Sequence, residues 1–371
     1  QAGGTELFSR AVENVCRTIV NDLSFTVSVQ NGIVGPNTEF SVHAADGAGR
    51  ALPHLAVKAV WELPDLMITA AAPAAEEASD VVSIVKTDAN GNALVSYPND
   101  EAFRNKIVCL TVSTALSQAE TATAEMRKLD ALCATEAHYV YYENLADAYK
   151  SVTVASGEYT LGAVAHDKRA GAKEKSRTVT LASYAIDVHP VTNAQYAAYL
   201  YTTDSDAVPE YFDNDDYNQE HQPVVGITAA DAEAYAAWLS AQTGWRFRLP
   251  TDDEWEAAAR AGTEYIYPWG DDLPSKAKSA NYKGNGKFKA PSPVGSFANG
   301  TNAWQLEDMA GNVWEWTASS REAQEGFRTV KGGSWMDGPV DLRISNFKNI
   351  DTASGSPDVG FRLVKEDTDE N

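Results

Sequence analysis

Eight of the nine tryptophans in this 371-residue chain lie between Trp238 and Trp335, and Trp61 is alone in the first half. Over much of the same region, from about 262 to 327, helix and strand periodicity fades and Pro, Gly, Asn, Asp and Trp dominate. A compact domain rarely carries so long an irregular stretch without a purpose. With regular elements scarce, the tryptophans must supply much of the core. Two domains of different construction are expected: a β-rich one over 1–145 and a loop-rich one over 150–366, with an acidic tail at 367–371.

The first segment opens with apolar residues three and four apart, Phe8, Ala11, Val12, Val15 and Ile19, which predicts a helix. Alternating runs follow at Phe25–Val29, Phe40–Val42 and Leu55–Trp61. Asp88-Ala-Asn-Gly-Asn92 separates Val82–Val85 from Leu94–Tyr97 and reads as a hairpin turn. With Ile107–Val112 these runs suggest a small, immunoglobulin-like β-sandwich over 23–113. Residues 116–148 read as helical, with Met126, Leu129 and Leu132 on one side. Ala70–Ala78 reads as a small-residue loop without chemistry.

Charge narrows the function. Thirty basic residues against fifty-two acidic ones give a net charge of −22, which repels phosphate backbones and anionic membrane faces, so no nucleic-acid partner is expected. There is no apolar run long enough for a membrane span. The start, Gln1-Ala-Gly-Gly4, lacks a signal peptide's charged and apolar regions. It fits either a trimmed chain or a lipoprotein that has lost its lipidated cysteine. Cys16, Cys109 and Cys133 are too few and scattered for a disulfide framework or zinc site, and none lies beyond 133.

In the second segment, Thr192 with Gln195 and Thr251 with Glu254 form capping boxes, and Thr228 opens an Ala-rich helix ending near Gly244. The Thr251 helix is expected to end at Gly262. The chain has no HExxH, P-loop or GxSxG motif, and Lys283-Gly-Asn-Gly-Lys287 reads as a surface turn. Its six histidines, at 43, 54, 138, 166, 189 and 221, never sit three or four apart. The acidic run Glu210–Asp216 lacks the glycine and terminal glutamate of a calcium loop and reads as solvated.

An ordered series of motifs is more specific. It comprises Gly157-Glu-Tyr-Thr-Leu-Gly162, Val191-Thr-Asn-Ala-Gln-Tyr196, Pro223-Val-Val-Gly226 and Arg248-Leu-Pro-Thr-Asp-Asp-Glu-Trp-Glu-Ala-Ala-Ala-Arg260. Tyr267-Pro-Trp-Gly-Asp271, Ala280-Asn-Tyr282 and Pro293-Val-Gly-Ser-Phe297 follow. Asp308-Met-Ala-Gly-Asn-Val-Trp-Glu-Trp316, Gly332-Gly-Ser-Trp335 and Gly360-Phe-Arg362 complete it. Residues 150–364 thereby resemble the formylglycine-generating enzyme (sulfatase-modifying factor) family. The resemblance implies a loop-rich C-type lectin-like fold, so the fold class expected is α+β, with a β-sandwich-like N-terminal domain and flanking helices. The resemblance leaves 1–145 unexplained.

Catalysis is not expected to carry over. Where oxidising relatives have cysteines, two residues beyond the Gly-Gly-Ser-aromatic motif and five further on, this chain has Asp337 and Leu342. Copper binding and thiol exchange both need a thiolate. The histidine-rich helical domain of the iron-dependent relatives is not found either. No cofactor is required on this reading. The resemblance does imply structural Ca²⁺ near Asp308 and Asn312, weighed against a purely hydrogen-bonded loop. A second family site, near Asn281-Tyr282, lacks the acidic residues that would complete it.

The family also includes non-catalytic variable proteins of diversity-generating retroelements, which randomise the stretch between Gly-Gly-Ser-Trp and Gly-Phe-Arg. Candidate ligand-binding residues on that basis are Trp335, Met336, Asp337, Asp341, Asn346, Phe347, Asn349, Ile350, Asp351, Ser354 and Ser356. The partner would be a protein or glycan, and the protein would be displayed on a cell surface or a virion, with the N-terminal segment as spacer. The alternatives are a pseudo-enzyme with an ordinary loop and an enzyme of the oxidase type.

Overall fold

The computed structural model describes residues 23–28, 33–34, 38–62, 81–97, 107–115, 135–141, 149–203, 208–274, 278–284, 287–321 and 324–366. The chain divides into two compact units, with the boundary between Leu145 and Ala146.

The described strands of the first unit are β1 (Ser24–Ser28), β2 (Ile33–Val34), β3 (Glu39–Ala45), β4 (Ala56–Glu62), β5 (Val81–Lys86), β6 (Asn92–Ser96), β7 (Ile107–Thr114) and β8 (Thr135–Tyr141). They form a three-stranded sheet, β1-β3-β6, and a five-stranded sheet, β2-β8-β7-β4-β5. Alternation sets what each sheet buries. Phe40, Val42 and Ala44 of β3 share one core with Val57, Ala59 and Trp61 of β4 and Val108, Leu110 and Val112 of β7. Trp61 meets Phe40 and Tyr97 edge-on, with ring centroids 4.9 and 5.1 Å apart. The result is a β-sandwich.

Two expectations are corrected. Val82–Val85 and Leu94–Tyr97 do not form a hairpin, because β5 pairs with β4 and β6 with β3 in the opposite sheet. The Asp88–Asn92 turn exists, closed by Gly91 N–H to the Asp88 carbonyl at 3.1 Å, but it carries the chain between sheets. Alternation within each run is the same either way; only the pairing partner differs. The helix expected over 116–148 is also wrong at its C-terminal end. Thr135–Tyr141 is a strand antiparallel to β7, in keeping with its β-branched and aromatic residues. The sandwich therefore extends past 113. The Phe8–Ile19 helix, the Ala70–Ala78 loop, residues 116–134 and the tail lie outside the described residues.

The second unit contains β9 (Ser151–Val154), β10 (Gly157–Leu161), β11 (Arg177–Leu181), β12 (Tyr184–Asp187), α1 (Asn193–Thr203), α2 (Ala229–Thr243), β13 (Phe247–Arg248) and α3 (Asp252–Arg260). After a long irregular stretch come β14 (Trp314–Trp316), β15 (Phe327–Lys331), β16 (Phe347–Asp351), β17 (Val359–Gly360) and β18 (Val364–Glu366). β10 and β11 form a hairpin, and two four-stranded sheets run β13-β18-β12-β9 and β16-β15-β14-β17. The last strand, β18, thus sits between β12 and β13 and closes the domain on its own beginning.

Both expected capping boxes form, and Thr228 makes a third with Asp231. The Thr192 N–H reaches Gln195 Oε1 at 2.9 Å, and Thr228 with Asp231 and Thr251 with Glu254 make both reciprocal bonds. The α3 helix ends one residue earlier than expected, with Ala261 itself left-handed at φ 48°. Trp255, Trp314 and Trp316 are almost wholly buried and Trp238 is nearly so, while Trp245, Trp269, Trp304 and Trp335 keep part of their surface in solvent. Aromatic rings from α1 and α2, Tyr196, Tyr199, Tyr235 and Trp238, pack together, and Phe361 lies against Tyr196 and Tyr235.

Candidate functional site

Beneath the 335–359 segment lies a buried ionic knot. Arg362 donates Nε to Glu315 Oε2 (2.6 Å) and one Nη2 hydrogen to Glu315 Oε1 (2.8 Å). Its remaining three N–H groups reach the carbonyls of Asp187, Val188 and Glu307 at 2.8–3.0 Å. All five guanidinium donors are therefore used. Glu315 also accepts Trp255 Nε1 at 2.7 Å. Three motifs far apart in sequence, around Trp255, Glu315 and Arg362, thus meet at one point.

The segment leaves this knot through Gly332 and Gly333. Gly333 has φ +75°, and a Cβ there would lie 3.0 Å from both the Asp341 carbonyl oxygen and Leu342 Cδ1, so only glycine suits the turn. Asp337, at the first position where relatives have cysteine, is held from several sides. Its Oδ2 accepts Trp314 Nε1 (2.6 Å), Ser334 N–H (3.1 Å) and Ser334 Oγ (2.5 Å), and its Oδ1 accepts Lys348 Nζ at 2.8 Å. Lys348 in turn lies over the Trp314 ring, 4.4 Å from its centroid. At the second position, Leu342 is wholly buried with Ile266, Tyr267, Ala280, Tyr282 and Ala310. A carboxylate bound into a hydrogen-bond hub and an isobutyl group packed into a core offer no thiol chemistry.

The other candidate residues are distributed unevenly. Met336 is 47% exposed, and Asp351 and Ser354 are exposed, while the rest are half-buried. Trp335 donates Nε1 to the Pro357 carbonyl at 3.2 Å and faces Tyr217. Asn346 caps the Asp341 carbonyl at 3.0 Å, and Ser356 donates to Asp358 at 2.5 Å. β16 is an edge strand, so its side chains alternate between faces. Phe347 packs under the Arg321 guanidinium and Asn349 accepts Thr329 Oγ1 at 2.8 Å on one face. Lys348 lies on the other face, which Ile350 shares by the same alternation. Lys348, Trp314 and Asp358 belong to the site without being among the candidates expected from the sequence, although alternation along β16 alone pairs Lys348 with Ile350.

Residues 140–367 match the family model described as "Sulfatase-modifying factor enzyme 1-like domain". The chain belongs to that family. Its relatives include the inactive C-alpha-formylglycine-generating enzyme 2 of Mus musculus, 30% identical over 269 residues, 57% of this chain and 84% of that protein. The hercynine oxygenase of Mycolicibacterium smegmatis is 31% identical over 54% of this chain, which spans only 57% of that enzyme. Among solved structures, PvdO from Pseudomonas aeruginosa is similar at TM-score 0.52 and 29% identity, covering 58% of this chain and 94% of PvdO. Treponema denticola variable protein 1 aligns at TM-score 0.49 and 21% identity, over 58% of this chain and 95% of that one.

The sulfatase-modifying factor resemblance implied calcium at Asp308 and Asn312, and the side chains there are committed elsewhere. Asn312 is wholly buried; its Oδ1 accepts the Ser292 N–H at 2.9 Å and its Nδ2 donates to the Ser292 carbonyl at 3.1 Å. That two-point pairing with one residue fixes which way the amide faces, and Asn281 Nδ2 also donates to the same oxygen at 3.5 Å. Asp308 Oδ2 accepts the Gly295 N–H at 2.9 Å, and burial pushes its carboxyl up to about 6. The donor set fits a hydrogen-bonded staple between the 308–312 loop and residues 292–295 better than a cation site. Among the described residues no cluster of three His, Cys, Asp or Glu side chains could hold a metal. The Glu210–Asp216 run folds into turns, with the Asp215 and Asp216 carbonyls bound by Gln219 and Gln222 at 2.8 and 3.1 Å. No described helix is long and apolar enough to cross a membrane.

Proposed function

We propose that this protein is a non-catalytic ligand-binding member of the sulfatase-modifying factor family. On this reading it presents the 335–359 segment as a binding surface that a retroelement diversifies. One observation carries the reading: both cysteine positions are occupied by side chains with structural duties, Asp337 in a hydrogen-bond hub and Leu342 in the core. A further support is the support beneath the segment, since side chains such as Met336, Asp351 and Ser354 project from a backbone held by Gly333, the Asp337 hub and β15. A surface that must tolerate many side chains needs such a rigid underlay. The relative from mouse, named as inactive, is a parallel for loss of catalysis within the fold.

The ligand would be a protein or glycan met outside the cell, with the β-sandwich as spacer and the protein carried on a surface lipid anchor or a virion. Sequencing codons 328–362 across a clonally derived population tests diversification. Substitutions confined to positions matching adenines in a nearby template repeat are expected. An invariant segment without such a repeat would leave a fixed binder. Supplying copper, oxygen and a cysteine-bearing sulfatase peptide should give no turnover above blank; formylglycine in the product would overturn the non-catalytic reading. Protease treatment of intact cells should remove the protein, and recovery of the untouched chain from the cytosol would refute display.

A further inference from the structure

A cleft of about 670 Å³ opens away from the Asp337 hub, within the size range of small-molecule sites. One wall is the loop leading into β11, with Lys173 and Lys175, and the first residue of that strand, Arg177; the first turn of α3, with Asp252 and Asp253, adjoins it and is bonded to Arg177. Ser319, Ser320 and Arg321, just after β14, and Phe347 at the start of β16 complete it.

Charge is arranged unusually here. In and below the floor, Arg177, Arg260, Arg321 and Lys331 are paired with Asp252, Asp253 and Glu256, four cations to three carboxylates. Glu256 is wholly buried and held down to about 2 by Lys331, Arg260 and Arg321 against the opposing effect of burial. Lys175, exposed on the rim, adds a further positive charge. The cleft is therefore a positive spot on a chain of net charge −22, and low-dielectric walls focus such a field on small anions.

The remaining groups narrow the anion. The Phe347 ring, stacked 4.4 Å from the Arg321 guanidinium, gives a flat apolar flank of the kind that packs against the C–H face of a sugar. The Asp253 carboxylate, about a third exposed, can accept from a hydroxyl, but it would repel a doubly charged phosphate. We propose that this cleft binds an acidic saccharide, a singly charged sugar acid of the uronic or sialic type. Its carboxylate lies toward Lys175 and Arg177, and its ring lies against Phe347. Phe347 comes from the 335–359 segment, so the site belongs to copies of the chain that carry Phe347 and rests on that position being held.

The test is calorimetric titration of the full chain with N-acetylneuraminic acid and a glucuronate disaccharide, against glucose, N-acetylglucosamine and inorganic phosphate. The acids should bind at least about tenfold more tightly than the neutral sugars and should weaken with added salt. Lys175→Glu and Phe347→Ala should each weaken acid binding at least about fivefold, whereas Lys175→Arg should retain it. Both altered side chains lie at the rim or wall, and an unchanged near-ultraviolet circular dichroism spectrum will show that the fold is intact. Equal binding of neutral and acidic sugars, tighter binding of phosphate, indifference to Lys175→Glu, or no saturable binding at millimolar sugar would each overturn the proposal. None of these results bears on the codon-diversity test, so the two readings fail separately.

Discussion

At the scale of single residues, the charges sealed inside the lectin-type unit are its most consequential side chains. Breaking a buried ion pair by removing one partner leaves an uncompensated charge in low dielectric and typically costs about 3–5 kcal/mol. Arg362→Met should do this to Glu315, and a lost or greatly lowered thermal transition for the unit would check it. Asp187 presents the opposite case. Burial pushes its carboxyl from 3.8 up to about 7, and one of its oxygens has no partner. Between those two values the folded chain holds a proton that the unfolded chain has released, so this group's contribution to stability falls as pH rises through the window and the cost is complete above it. Asp187→Asn keeps an acceptor for the Leu363 N–H, 3.1 Å away, while removing the charge. Its melting temperature should match the parent near pH 4 and exceed it at pH 8, where the gain in stability is on the order of a few kcal/mol. Equal differences at both pH values would refute this account.

Among the elements, those governed by local rules were legible and those governed by partner choice were not. The capping boxes at Thr192, Thr228 and Thr251 each follow from a hydroxyl and an acceptor three residues apart. Thr251→Ala should cost about 1 kcal/mol, read as a lower denaturant midpoint at unchanged m-value. The strands of the sandwich were visible as alternation, yet the transfer of chain from β5 in one sheet to β6 in the other was not, because no local signal tells a hairpin turn from a crossover turn. Likewise, the family resemblance placed Asp337 and Leu342 at cysteine positions, but the bonds to Trp314 and Lys348 join residues 23 and 11 positions away. The 308–312 loop shows the same limit: its oxygen-bearing side chains suggested an ion, and only the folded chain reveals Ser292 and Gly295 as their partners. A staple of hydrogen bonds predicts that a calcium chelator leaves the melting temperature unchanged and that added Ca²⁺ does not raise it. A shift that grows with Ca²⁺ concentration would restore the metal.

For the whole molecule, each unit has its own core, one around Trp61 and the other around Trp255. A fragment covering 146–371 should therefore fold alone and keep the near-ultraviolet signal of its buried tryptophans; an unstructured fragment would show that the division is not one of stability. Within that unit, the order of parts along the chain has a bearing on how variation is tolerated. The residues that complete the ionic knot and the central strand of a sheet, Arg362 and β18, are encoded after the 335–359 segment. A frameshift or stop codon arising anywhere in that segment removes both, and the chain then lacks the parts that close its lectin-type domain. Only in-frame, full-length copies keep them, so any error in the segment that shifts or ends the frame is also an error in folding.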